Sequence, residues 1–314
     1  MTRHFCILLV DGFSHLAFSC AIEPLRLANR ISGAELYRFS LASENGRTAA
    51  CLNGLNMEVH AGLNDLPECD RLFVLASEDM AARATSPVLG AIRRMRACGT
   101  PVGGLCSGAW ILAAAGLLTG RRAALHWDYH DSFNELFPEV DLVQTVFVDD
   151  PRHPTAAGGT ATADYMLHVI EQDHGTDLAA AIADQMVYSS VRSDTAEQRV
   201  SLQARLGVRN PHLARAIRIM RETIEEPVPP SQIAEEIGIS TRQLERLFAQ
   251  FMKATPKKFY VELRLERARK LLLQTEASVI EVGLACGFDS PSHYSRLYKD
   301  RFGLTPTFQR HKMT

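Results

Sequence analysis

The last third of this 314-residue chain contains one unit twice, fifty residues apart. The first copy, "IAEEIGISTRQLERLFAQFMKATP", starts at Ile233, and the second, "VGLACGFDSPSHYSRLYKDRFGLTP", starts at Val282. Ser240 matches Ser290, Arg246 matches Arg296, Leu247 matches Leu297, and Thr255-Pro256 matches Thr305-Pro306 at that spacing. Gly238 and Gly287 are 49 apart, so the second turn is one residue longer. Each copy predicts a short helix (231–237 and 279–286) that stops at a glycine free to take positive φ. A second helix follows, capped by Ser240 in the first copy and by Ser290 or Asp289 in the second. Leu244, Leu247 and Phe251 are expected to bury one face of that helix, as are Tyr294, Leu297 and Tyr298 in the second copy. The opposite faces are polar: Thr241, Arg242, Glu245, Arg246 and Gln250, then Ser292, His293, Ser295, Arg296 and Lys299.

This is helix-turn-helix logic. One such match is weak, because helical hairpins are common, but two copies joined by a basic helix are much more specific. The joining stretch "TPKKFYVELRLERARKLLLQT" predicts a single helix with Thr255 as cap and Pro256 at its first position, where the missing N–H costs nothing. Residues 257–273 would span about 25 Å. That length can set two recognition helices about one DNA turn, roughly 34 Å, apart.

Charge supports the division. Residues 1–211 hold 17 arginines, no lysine and 24 acidic residues, a balance of −7, whereas residues 212–314 carry 17 basic and 12 acidic residues, a balance of +5. A basic segment on an acidic body points to nucleic acid as one partner.

The first two-thirds read differently. "FCILLV", "YRFSLAS", "RLFVLAS" and "TPVGGLC" are short runs apolar on both faces, separated by turns or helical patterns, which predicts a mostly parallel sheet covered on both sides. "HLAFSCAIEPLRLANR" predicts a helix kinked near Glu23 by Pro24. "LVQTVFVDD" reads as a strand. "TAAGGTATADYMLHVIEQDHG" reads as strand end, glycine turn and helix, and "TDLAAAIADQMVYSS" as a further helix capped by Thr176. The expected fold class is thus α/β, a flavodoxin-like parallel sheet in residues 1–190, a linker at 191–211, and an all-α domain at 212–314. The two helix-turn-helix motifs fall at about 231–251 and 279–301. No run of about 18 uncharged apolar residues occurs, so no membrane span is expected. The start "MTRHFCILLVDGF" meets Asp11 too soon for a signal peptide. Seven cysteines with no CxxC pair fit a reduced cytoplasm, with no metal site or cofactor expected.

In such sheets the ligand crevice lies at the strand carboxyl ends. The turns placed there are Asp11-Gly12-Phe13, Ser77-Glu78, Cys106-Ser107, His126-Trp127 and Gly158-Gly159-Thr160. The stretch "PVGGLCSGAWILAAAGLLTGRRAALHW" has the form of a cysteine hydrolase's nucleophile turn, with Cys106 before a helix and His126 twenty residues on. It resembles the elbow of the ThiJ/PfpI, class I glutamine amidotransferase-like superfamily. The closest branch has Cys-Ser/Thr-Gly, then Leu-Ala-x-Ala-Gly-Leu-Leu-x-Gly-Arg, then His-Trp. Gly116-Leu117-Leu118, Gly120-Arg121 and "AGGTATADYMLHVI" match it. In protease-type relatives a histidine follows the cysteine, where this chain has Ser107. In glyoxalase- and deglycase-type relatives a glutamate on the first helix meets the cysteine, where this chain has Ala17. The resemblance therefore implies a relic elbow and no enzyme. The competing reading is a cysteine-dependent hydrolase or glyoxalase, or a redox sensor, built on Cys106.

From about His212 onward, "RQLERLF", "LRLERARKLLLQT" and "ACGFDSPSHYSRLYKDRFGLTP" resemble the DNA-binding domain of the AraC/XylS family. Together the two resemblances imply a transcriptional regulator, an activator acting with RNA polymerase on double-stranded DNA, that dimerises and senses a small metabolite through its front domain. The branch implies nitrogen-compound catabolism and an effector such as glycine betaine, carnitine or an amino acid like arginine. The ligand residues expected are Phe13, Glu78, Cys106, Ser107, Gly108, Trp127, Gly159 and Thr160, with Trp110 alongside. Free amides of the helix opening at Ser107-Gly108 would hold the carboxylate. Trp127 would face a quaternary ammonium, and Glu78 a guanidinium or primary amine.

Overall fold

The computed structural model describes residues 2–198 and 210–311. The chain forms two compact units, Met1–Gln198 and Arg199–Thr314.

The first unit is built on β1 (Arg3–Leu9), whose side chains alternate between two cores. Phe5, Ile7 and Leu9 enter one. Cys6, Leu8 and the following Val10 enter the other. A strand buried on both faces has no polar position to spare, which is why this run is apolar throughout. After it come α1 (His15–Ser32), β2 (Tyr37–Ala42), the hairpin β3 (Thr48–Ala50) and β4 (Asn56–Glu58), β5 (Arg71–Ala76), α2 (Met80–Arg83), α3 (Ser86–Ala97), β6 (Val102–Cys106) and α4 (Gly108–Ala114). β7 (Arg122–Ala124), a 3-10 turn at Trp127–Tyr129, α5 (His130–Leu136), β8 (Asp141–Val143), β9 (Phe147–Val148), β10 (Thr155–Ala156), α6 (Thr160–His174) and α7 (Thr176–Gln185) complete it. The main sheet runs β2-β1-β5-β6-β10-β9, parallel except for the β9–β10 pair. One core lies under α1, α6 and α7, and the other under α3 and α4. From β1 the chain turns outward to β2, then crosses back to β5 on β1's other side. This reversal opens a crevice at the carboxyl ends of β1 and β5.

Several expectations need correction. The run 142–150 is not one strand. Its ends pair in different sheets, β8 with β7 and β9 with β10. The break is held by a later segment: Val146 N–H donates to Ala196 O, Gln198 N–H donates to Gln144 O, and Thr145 bridges Glu197. Residues 191–198 therefore pack on the first unit instead of starting a linker. Residues 199–209 of the expected linker lie outside the described residues. Asn210 and Pro211 already begin a helix of the second unit. The last helix of the first unit stops at Gln185, and Gly175, not Thr176, is its N-cap. The Thr176 hydroxyl instead donates to Glu171 at 3.1 Å. α1 carries the buried Pro24 without ending there.

The second unit contains α8 (Pro211–Glu222), α9 (Pro230–Glu236), α10 (Thr241–Met252), α11 (Pro256–Gln274), α12 (Val279–Ala285), α13 (Pro291–Phe302) and α14 (Pro306–His311) around one core. Both helix-turn-helix copies form. Gly238 and Gly287 sit at φ 74° and 71°. Ser240 and Gln243 make a reciprocal capping box on α10, Ser290 caps α13, and Thr255 caps α11. In α10 the fully buried pair is Leu244 and Phe248, while Leu247 and Phe251 are half-buried. The buried stripe follows the i, i+4 row, so it runs one row over from the expected one. Among the described residues, no helix is long and apolar enough to cross a membrane.

Candidate functional site

The elbow is tightly determined. Cys106 takes a left-handed backbone, φ +57°, which costs a non-glycine residue about 1–2 kcal/mol. Close packing around it imposes that conformation. A Cβ on Gly108 would stand 2.0 Å from Val74 O, and one on Gly104 would stand 2.5 Å from Ala109 N. On the far side a Cβ on Gly158 would lie 2.5 Å from Cys106 Sγ. The Ser77 hydroxyl donates to Cys106 Sγ at 3.4 Å, and the Ser107 hydroxyl donates to Ser77 O at 3.1 Å. Ser107 N–H donates to Ala76 O at 2.8 Å.

This geometry does not make a nucleophile. Cys106 is 6% exposed. Burial pushes its thiol above the ordinary range despite the hydrogen bonds from Ser77 and Ser107. The attacking species in cysteine chemistry is the thiolate, which this environment disfavours. His126 accepts a hydrogen bond from Asp128 N–H at Nδ1, so it acts as the N-cap of the 3-10 turn.

Around the elbow the structure places several of the expected ligand residues. Glu78 is exposed at the end of β5. The Tyr129 hydroxyl is held well above its usual range, first by burial and then by the negative charges of Glu78, Asp128 and Asp79, with Cys106 close by. Those groups therefore share one neighbourhood. Trp127 is half-buried, its ring 5.4 Å from that of His126 at a 32° tilt. Gly159 is half-buried and Thr160 exposed at the start of α6. Thr160 Oγ1 accepts from the Arg192 guanidinium at 2.8 Å.

Four expected ligand residues are buried, the Cys106 just described among them. Phe13 is 0% exposed, its ring packed on Phe18. Ser107 is 0% exposed and Gly108 is buried, and the Ser107 amide that was to hold a carboxylate is already bonded to Ala76. Trp110 is core, edge-on to Tyr129, Phe133 and Phe137. Tyr129 and Arg192 were not singled out from sequence, and Ser77 was placed in a crevice turn but not against Cys106. Tyr129 sits two residues past Trp127 and Ser77 ends a strand at the crevice, and those positions were the available signals.

In the second unit Thr241, Arg242, Glu245, Arg246 and Gln250 are exposed along α10. Ser292, His293, Arg296 and Lys299 are exposed along α13, while Ser295 is half-buried. The Arg296 guanidinium lies 3.1 Å from His293 Nδ1. Arg264 of α11 holds the turn that precedes the second face. It donates to Cys286 O and Gly287 O at the turn before α13, and its guanidinium covers the Phe288 ring at 4.1 Å. Gly287 must be glycine: a Cβ there would meet Ile224 O at 2.6 Å and Pro227 Cγ at 2.7 Å.

A unit with two helix-turn-helix motifs, joined in one chain to an α/β unit whose elbow cysteine is buried, has the architecture of a DNA-binding transcription factor. Residues 3–172 match the DJ-1/PfpI family, and residues 233–312 match a helix-turn-helix domain. Over 310 residues the chain is 41% identical to HTH-type transcriptional regulator CdhR of Pseudomonas aeruginosa, covering 99% of this chain and 92% of that one. It is 35% identical over 300 residues to HTH-type transcriptional regulator GlxA of Rhizobium meliloti, covering 95% and 93%. An AraC family transcriptional regulator from Pseudomonas putida shares the fold of the first unit, with TM-score 0.54 and 25% identity over 59% of this chain and 99% of that one. The chain belongs to the AraC-type helix-turn-helix regulators that carry a DJ-1/PfpI domain. It is a DNA-binding transcriptional regulator with a small-molecule sensing domain, and not an enzyme.

Proposed function

We propose that a mouth beside Cys106 receives a small amine-derived carboxylate, such as glycine betaine, carnitine or arginine, and that its binding controls transcription of genes for amine or amino-acid breakdown. The observation that carries this is the nearness of Glu78 and Tyr129 to the elbow at Cys106, with the half-buried Trp127 beside His126. Aromatic faces and one exposed acid suit a cationic head. The carboxylate's partner is the amide end of α6, whose N-cap Gly159 supplies no side chain. On the DNA side, Thr241, Arg242, Glu245, Arg246 and Gln250 read one half-site, and Ser292, His293, Arg296 and Lys299 the next. The chain works as a homodimer through its first unit and as an activator with RNA polymerase. The acidic balance of residues 1–211 keeps that unit off DNA.

Calorimetry with the full chain tests the effector. Trp127→Ala is expected to abolish binding of betaine, and Glu78→Gln to weaken arginine more than betaine. Tight binding of an uncharged sugar, with no heat from any of the three compounds, refutes it. Sedimentation checks the assembly, for which a monomer at tens of micromolar is the contrary result.

A further inference from the structure

A cavity of about 360 Å³ lies on the first unit between α6, α7 and residues 191–194. That volume is within the range of small-molecule sites. Its apolar wall includes Leu167, Ala179 and Val191. Val191 is 49% exposed, so an apolar side chain stands in contact with water at this edge.

The charges of the cavity do not balance. Asp164 and Arg192 line it as a closed pair. Asp164 is 0% exposed and accepts from the Arg192 guanidinium at 2.6 Å, from Arg192 N–H and from Tyr188. His168 is paired with Asp149 at 3.1 Å. Two further carboxylates, Glu171 and Asp194, line the cavity and also act on His168. Asp149 is paired with His168 and is also attracted by Arg71, so the excess charge of the cavity is that of Glu171 and Asp194. Among the described residues no cluster has the form of a metal site, and the apolar wall suits carbon better than a hydrated ion.

We propose that this cavity is a second small-molecule site, separate from the mouth beside Cys106, that takes a small organic monocation with an apolar body. The cation neutralises part of the charge of Glu171 and Asp194, while its alkyl part covers Leu167, Ala179 and Val191. An occupant touches residues 191 and 194 as well as α6 and α7. It therefore holds against the first unit the segment that continues in sequence through residues 199–209 to the DNA-binding unit.

Butyltrimethylammonium is the probe, and hexanoate, of similar body and opposite charge, is the control. Calorimetry with the full chain is expected to show one butyltrimethylammonium per chain and no heat from hexanoate. Glu171→Gln combined with Asp194→Asn is expected to weaken the probe at least tenfold. Ala180→Trp places a bulky ring in the cavity from an exposed position on α7, and is expected to abolish binding. Trp127→Ala, which removes the ring expected to face a quaternary ammonium at the other mouth, is expected to leave it unchanged. No heat from the probe, or binding that survives Ala180→Trp, overturns the proposal. Loss on Trp127→Ala with retention in Ala180→Trp moves the cation to the mouth beside Cys106, which overturns this proposal and leaves the effector reading standing.

Discussion

Replacing Arg192 by leucine leaves the Asp164 carboxylate without its counter-ion in a place where it is 0% exposed. Removing one member of a buried pair costs about 3–5 kcal/mol. Two features place this case near about 3 kcal/mol, at the lower end of that range. The Arg192 side chain is itself 29% exposed. The carboxylate also keeps the Tyr188 hydroxyl and the backbone N–H of position 192, at 2.9 and 2.8 Å. Asp164→Asn added to Arg192→Leu removes the stranded charge, while the amide oxygen still accepts both of those bonds. The double variant is therefore expected to recover about 2 kcal/mol of the loss. The assay is selective, because the chain's two tryptophans, Trp110 and Trp127, both lie in the first unit. Tryptophan fluorescence during urea unfolding thus follows that unit alone. With a slope of about 2–3 kcal/mol per molar urea, the single variant should lower the midpoint by about 1 M. A double variant as unstable as Arg192→Leu alone refutes the reasoning, since the loss would then come from packing and not from an uncompensated charge.

Gly287→Ala forces a Cβ against Ile224 O at 2.6 Å in a residue at φ +71°; strain of about 1–3 kcal/mol should lower the thermal stability of the second unit, and an unchanged melting profile contradicts the packing described. Cys106, buried with its thiol pushed up, should resist iodoacetamide at neutral pH, and Cys106→Ser should keep DNA binding; rapid alkylation at pH 7 would support the cysteine-enzyme or redox-sensor reading instead. Asp149 raises the proton affinity of His168 above its ordinary 6.5, so this pair's contribution is complete below about pH 6.5 and is lost as pH rises through the higher folded-state value. His168→Gln should flatten that part of the stability profile, and a profile identical to the parent protein's contradicts the pairing.

What the sequence made legible followed local rules. Repetition, glycine stops and serine caps located both helix-turn-helix units, because capping and turning are decided within four residues. Apolar runs located β1, β2, β5 and β6 for the same reason. Long-range structure was not legible. That residues 196–198 split the run at 142–150 depends on hydrogen bonds between distant segments. That Arg192 closes on Asp164 leaves no local pattern either, since an Asp within an apolar helix face looks the same with or without a partner. Phe13 read as a crevice residue because it sits in a crevice turn, and only packing on Phe18 shows that its ring turns inward. The α8 helix did carry a signal, Asn210 before Pro211 and an apolar stripe at Leu213, Ile217 and Met220. It was absorbed into the start of the DNA-binding domain and not read as a helix of its own.

The central claim is that α10 and α13 present two DNA-reading faces set by one connecting helix. Arg246 and Arg296 hold equivalent exposed places on them. Selection of bound sequences from a random double-stranded DNA library by the full chain tests this directly. The account predicts enrichment of two half-sites about one helical turn, or about 10.5 base pairs, apart. Arg246→Ala should relax one half-site and Arg296→Ala the other, each costing about 1–3 kcal/mol in operator affinity. Enrichment of no sequence, or of one unaffected by either variant, would contradict it.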